Sequence, residues 1–162
     1  MRAMATHGKR ITDMASWRGL WVLTGVLDDA PESKSLVTTT DDQAALWLGE
    51  IDELWKMGEP RGIGGPWKDS AVSAGTPSDP YLMYGFDRKE LRLSHDAPEP
   101  VTFTVEVDFL ADGEWSVYQS FEVAPGESFT HLFPSGFHAH WVRLSSDTGT
   151  TATAQFIYGP AG

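Results

Sequence analysis

From residue 101 to residue 109 apolar and polar side chains alternate without a break: Val101, Phe103, Val105, Val107 and Phe109 against Thr102, Thr104, Glu106 and Asp108. A period of two places one set in a core and the other in water, so this segment is a strand of a one-sided sheet. Asp112-Gly113 supplies a turn, and residues 115–123 repeat the pattern with Trp115, Val117, Phe121 and Val123 on one side. Pro125-Gly126 leads into a strand over 128–133. Two more follow at 140–145 and 151–158, joined through Asp147-Thr148-Gly149. Upstream, segments 81–86 and 90–94 flank an Asp87-Arg88-Lys89 turn. Seven short strands at this density predict an antiparallel β-sandwich over residues 81–162.

The first part of the chain has a different texture. Segments 11–17, 20–27, 36–40 and 44–54 are strand-like, and Leu20 to Leu23 and Ala44 to Leu48 are unbroken apolar runs, the mark of strands covered on both faces. Residues 44–57 also fit a helical period through Gln43, Leu46, Trp47, Glu50, Ile51, Leu54 and Trp55. The hairpin-like approach over 38–42 favours strand. Residues 1–57 are therefore expected to form a blade-like antiparallel sheet. Residues 58–80 are dense in glycine and proline but carry Trp67, with Trp55 just before them; they read as an ordered loop. The fold class expected is all-β throughout.

Charge narrows the functions. The net charge is −11, with six basic and ten acidic residues before Pro60 and six and thirteen after it, so the acidity is spread along the chain. A nucleic-acid partner needs a basic surface, and an anionic membrane surface needs the same; neither is expected. No apolar run approaches the length of a membrane helix. The first ten residues are basic but lack an apolar stretch behind them, so they do not read as a signal peptide. The absence of cysteine removes disulfides and thiolate chemistry. There is no asparagine, hence no glycosylation sequon.

Three groups of residues carry candidate chemistry. His138 and His140, with His131 on a neighbouring strand, have the spacing of a metal-binding strand pair, but no Glu follows at the distance a cupin needs. Surface or capping histidines are the plainer reading, and no metal or other cofactor is expected. Tyr118, Trp141 and Arg143 face outward if Val117, Phe121, Val142 and Leu144 face inward; an aromatic face beside an arginine suits a sugar ring. The alternative is that Trp141 is core. The third group is Trp17, Arg18, Asp52, Glu53, Trp55, Arg61, Trp67 and Asp79, where carboxylates and arginines among tryptophans would line a glycan cleft or supply an acid and a base. Each also has a structural reading; Asp79 before Pro80, for example, is a common turn starter. No Gly-x-Ser-x-Gly or phosphate-binding glycine loop is present.

Several longer runs carry a resemblance. They are Ile11-Thr12-Asp13-Met14-Ala15-Ser16-Trp17-Arg18-Gly19-Leu20, the run from Ala45 to Lys56 (ALWLGEIDELWK), Gly64-Gly65-Pro66-Trp67-Lys68, Ser78-Asp79-Pro80-Tyr81-Leu82-Met83 and Ala152-Thr153-Ala154-Gln155-Phe156. In this order they resemble the C-terminal portion of large, uncharacterised bacterial proteins from polysaccharide degraders, similar to a β-propeller with an appended β-sandwich. The resemblance implies that the first 60 residues are a last blade, whose apolar faces require a neighbour: earlier blades of a longer chain, or a second copy. A homodimer through the N-terminal sheet, with Trp21 or Trp47 near the contact, is the expected assembly. The expected function is a carbohydrate-recognition or accessory domain of a polysaccharide-active system. A glycoside-cleaving enzyme using the loop carboxylates is the alternative, and a histidine-ligated, cupin-like metal enzyme is the second.

Overall fold

The computed structural model describes residues 11–25, 35–41, 43–56 and 59–159, with Trp55 and Lys56 described by backbone alone. The described chain divides into two units, with the boundary in sequence between Glu59 and Pro60.

In the N-terminal unit, β1 (Asp13–Trp17), β2 (Leu20–Thr24), β3 (Leu36–Thr38) and β4 (Ala45–Gly49) make an antiparallel sheet in the order β1-β2-β4-β3. The strand reading of the Ala45 segment holds. The helical period just after it is realised as a short 3-10 helix, Ile51–Lys56. Leu27, the expected end of the second strand, lies outside the described residues. One face of the sheet is the unit's core: Leu23 and Trp47 lie opposite each other on β2 and β4, with Ile11, Trp21, Leu36 and Leu54 packed around them. Trp47 is only 3% exposed. It is thus held inside its own unit, and of the two tryptophans expected at a contact between copies only Trp21 keeps accessible surface. The other face presents Val37 and Leu46, paired across β3 and β4, to solvent.

The second unit has eight strands: β5 (Gly62–Val72), β6 (Tyr81–Leu82), β7 (Arg88–His95), β8 (Val101–Asp108), β9 (Ser116–Val123), β10 (Phe129–Leu132), β11 (Trp141–Ser146) and β12 (Thr150–Gly159). They form two antiparallel sheets, β10-β7-β12-β5 and β6-β11-β8-β9. The pairings nest: β5 with β12, β6 with β11, β7 with β10, β8 with β9. That is a long hairpin folded over on itself, the eight-stranded jelly roll. Phe103, Val105, Leu144, Leu91, Leu93 and Phe156 meet between the sheets, fully buried. Each comes from a strand whose period-two pattern put it there.

The sequence reading departs from this structure in several places. The stretch expected as a loop over 58–80 contains the eleven-residue strand β5, so the sandwich has eight strands rather than seven. Its proline and glycines are compatible with a strand because β5 is an edge. Pro66 has no N–H to offer a ladder, which an edge tolerates. Gly65 lies so close to β12 that a Cβ there would collide with the Ala154 carbonyl and the Gln155 backbone. The second departure is on β9. A bulge falls between the Val105–Gln119 and Glu106–Val117 pairs, leaving Tyr118 as the extra residue. Downstream of it Phe121 and Val123 are buried as expected, but Val117 is turned to solvent and 64% exposed. Phe109, expected as the last core position of β8, lies beyond the strand end and is half exposed. No helix among the described residues is long and apolar enough to cross a membrane.

Candidate functional site

At one end of the sandwich, beside the 109–115 connection of β8 to β9, two connections frame a cleft: residues 83–87 between β6 and β7, and residues 133–140 between β10 and β11. Each turns on a glycine with positive φ, Gly85 at 98° and Gly136 at 76°. Main-chain bonds fasten one to a strand, Phe133 N–H to the Lys89 carbonyl of β7 (3.0 Å), and the two to each other, Met83 N–H to the His140 carbonyl (3.0 Å). The strongest tie is a side chain. Lys89 points inward from β7 and is only 1% exposed. Its ammonium donates to the carbonyls of Phe86 (2.5 Å) and Phe137 (2.9 Å), one from each connection. Burial pulls the Lys89 pKa down, and the Asp87 charge opposes that. Beside it on β12, directly across the ladder, the Tyr158 hydroxyl is buried and has no hydrogen-bond partner among the described residues.

Between the two connections lies a cleft of about 520 Å³, with Asp87, Arg88, Phe133, Ser135 and His138 in its lining. A smaller hollow of about 390 Å³ lies against Tyr84, Gly85, Asp87 and His138, so Asp87 and His138 border both. Arg88 gives one nitrogen to Glu90 (2.9 Å), which Arg92 holds from the other side (2.8 Å). Tyr84 stacks on His140 with ring centroids 5.2 Å apart and planes 9° from parallel, and His140 in turn lies 5.4 Å from Trp141. Asp87 and His138 are thus shared by the two hollows, with Arg88 on the larger and Tyr84 on the smaller. Ser135, His138 and Asp87 share the lining but make no hydrogen bond with one another, so they are not an assembled nucleophilic triad.

The residues singled out from sequence are distributed as follows. Trp17 and Arg18 form the β1–β2 turn, Arg18 at φ 52° with its guanidinium 4.9 Å over the Trp17 ring. Asp52 is exposed on the 3-10 helix, and Glu53 beside it accepts from the Ser35 hydroxyl at 3.2 Å. The Trp55 side chain lies outside the described residues. Arg61 and Asp79 are exposed on the sandwich unit. Trp67, expected in a loop and open to a ligand, is instead buried on the inner face of β5 against Phe103. Tyr118 is also turned inward: the bulge directs it onto Phe133 and Phe137, and its hydroxyl meets His131 Nε2 at 3.0 Å. It therefore does not share a face with Trp141. Trp141 and Arg143 do face out, alternating with the fully buried Val142 and Leu144. Arg143 is held by Glu106 (2.9 and 3.2 Å) and stacks 4.3 Å over Trp115.

The three histidines occupy three different environments. His131 is packed between Tyr118, Phe121 and Phe133, and burial lowers its pKa. His138 borders the cleft, and His140 is stacked under Tyr84; both precede β11 rather than alternate along a strand. Among the described residues no three His, Cys, Asp or Glu side chains are grouped so as to hold a metal. The cleft residues Tyr84, Asp87 and Arg88 were not recognised from sequence as a site. The available signal was a pair of glycine turns, Gly85 and Gly136, at the same end of neighbouring strands.

No protein-family model matches this chain, and no curated protein does. Among solved structures it is similar to a chain of the Bacillus endospore appendages, described as a novel family of disulfide-linked pili. That match has 15% identity and a TM-score of 0.40, and covers 63% of this chain and 87% of the other. It is also similar to PirA, with 13% identity and a TM-score of 0.33, covering 62% and 86% respectively. Likeness at this level carries no function across, and this chain has no cysteine with which to form a disulfide.

Proposed function

We propose that the protein is a carbohydrate-recognition domain that binds its ligand in the cleft between the two connections. The observation that carries this reading is that Tyr84, Asp87 and His138 line one hollow beside the cleft. A sugar ring offers an apolar face of C–H groups and a rim of hydroxyls. An aromatic ring takes the first, and carboxylate, imidazole and guanidinium groups take the second. The overall charge of −11 favours a neutral glycan over a polyanionic one. The reading is tested by titrating neutral oligosaccharides into the wild type and into Tyr84→Ala and Asp87→Asn. Loss of about tenfold or more in affinity in both variants, with unchanged thermal unfolding, is expected. Equal affinity in all three proteins moves the site elsewhere, and release of reducing sugar would turn the reading into that of an enzyme.

We also propose that the N-terminal unit pairs with a second copy. Val37 and Leu46 are adjacent across β3 and β4, 58% and 40% exposed, and the partly exposed Leu48 and Val22 continue the same apolar face. A contiguous patch of this kind is a usual mark of an interface. Light scattering over a concentration series should show dimers that Leu46→Glu dissociates; a monomer at every concentration overturns this.

A further inference from the structure

The aromatic contact at the cleft does not end inside it. Tyr84 borders the hollow, His140 lies parallel against it, and Trp141 follows His140 out onto β11. Trp141 stands on the solvent side of its sheet, because Val142 beside it is fully buried and neighbours on a strand point to opposite faces. Two residues further on, Arg143 stands on the same face, held flat by Glu106 and the Trp115 ring. Rings and a planar guanidinium therefore follow one another from the hollow, over the lip of the sheet, and along its outer surface. Each ring centroid lies little more than 5 Å from the next, and Trp141 and Arg143 are spaced by about 7 Å along the strand.

We infer that the ligand is a neutral glycan chain of several sugar units, seated by one end in the cleft and lying over Trp141 toward Arg143. This rests on the reading of the cleft as a sugar site and adds the size of the ligand to it. The run from Tyr84 past His140 to Trp141 and on to Arg143 takes two ring-to-ring steps of little more than 5 Å and one further step along β11, more than one sugar ring covers. Only a chain uses the two ends of the stack together. Arg143 and Glu106 are already paired to each other, so their role toward the chain is a fixed, flat polar surface. Stacking on such a surface tolerates a range of linkages, whereas the hollow with Asp87 and His138 discriminates at the chain end.

The experiment is calorimetric titration of the full chain with neutral β-glucan, mannan and xylan oligosaccharides of one to six units each. In at least one series the affinity should rise tenfold or more with length. Trp141→Ala should abolish that rise while leaving the shortest binding member within about twofold of wild type, and Trp141→Phe should restore most of it. Tyr84→Ala should weaken every member of the series. Binding that is independent of length, or a length gain that survives in Trp141→Ala, overturns the extended site while leaving the cleft intact. No binding by any member overturns the cleft reading and this inference with it. Thermal unfolding of each variant distinguishes lost contact from lost fold.

Discussion

The ammonium of Lys89 donates a hydrogen bond to the carbonyl oxygen of Phe137, 2.9 Å away and 48 positions further along the chain. With its second bond, to Phe86, it joins both walls of the cleft from beneath. Lys89→Met keeps the aliphatic stem but leaves two carbonyls without their donor. Part of that loss is offset by no longer burying a charge. We expect a net destabilisation of about 1–3 kcal/mol. Amide exchange should also become faster at Met83 and Phe137, whose N–H groups bond within this end of the sandwich. Denaturant unfolding and hydrogen-exchange mass spectrometry check both; unchanged exchange would show that the walls do not depend on the lysine.

The bulge in β9 makes a prediction that simple alternation contradicts. Val117 and Phe121 are four residues apart and would share a face in a regular strand, yet one is 64% exposed and the other 6%. Val117→Asp is expected to unfold within a few degrees of wild type. Phe121→Asp buries an unpaired carboxylate and should lose several kcal/mol, enough to abolish a cooperative transition. Thermal melts of the pair decide it, and similar losses for both would remove the bulge.

The glycines of β5 are not equivalent. A methyl group on Gly65 collides with the backbone of β12 at Ala154 and Gln155, so Gly65→Ala must push two strands apart. On Gly62 the nearest atoms are the Phe86 ring at 3.6 Å, an ordinary contact. Gly65→Ala should destabilise by about 1–3 kcal/mol, the usual range for overpacking. Gly62→Ala should be close to neutral. Urea denaturation measures the difference, and equal midpoints would contradict the close approach of β5 to β12.

His131 confers a pH dependence whose sign follows from its burial. Its pKa is lowered from 6.5 in the folded protein by burial among aromatic rings. Between the folded and unfolded values the unfolded chain binds a proton that the folded chain does not. The contribution of this residue is therefore present above pH 6.5 and lost as pH falls through the lower, folded value. The melting temperature should drop between pH 7 and pH 5 more steeply in wild type than in His131→Phe. Parallel curves for the two proteins would assign the dependence to other groups.

How much of this was legible in the sequence depends on how local each cause is. The alternation of Val101, Phe103, Val105 and Val107 is decided by the pleat of a single strand, and it placed that strand's core face correctly. For the next strand the same rule allowed two registers, and the structure chose the one with Val142 and Leu144 inward and Trp141 and Arg143 outward. The all-β class and the antiparallel sandwich did follow from the sequence, since they need only a succession of such strands and turns. Tertiary structure decided what depends on a neighbour. Pro66 and Gly65 read as loop until β12 lies beside them, because an edge strand forgives a missing N–H and a close approach needs a missing Cβ. Trp67 was consequently read as open to ligand when it is core. Tyr118 points inward only because the register against β8 slips by one residue. The cleft itself joins residues 84–88 to residues 133–140, some 50 positions apart, through the nesting of the jelly roll and one buried lysine. No periodicity within either segment encodes that meeting, since the forces that create it act between strands and not along them.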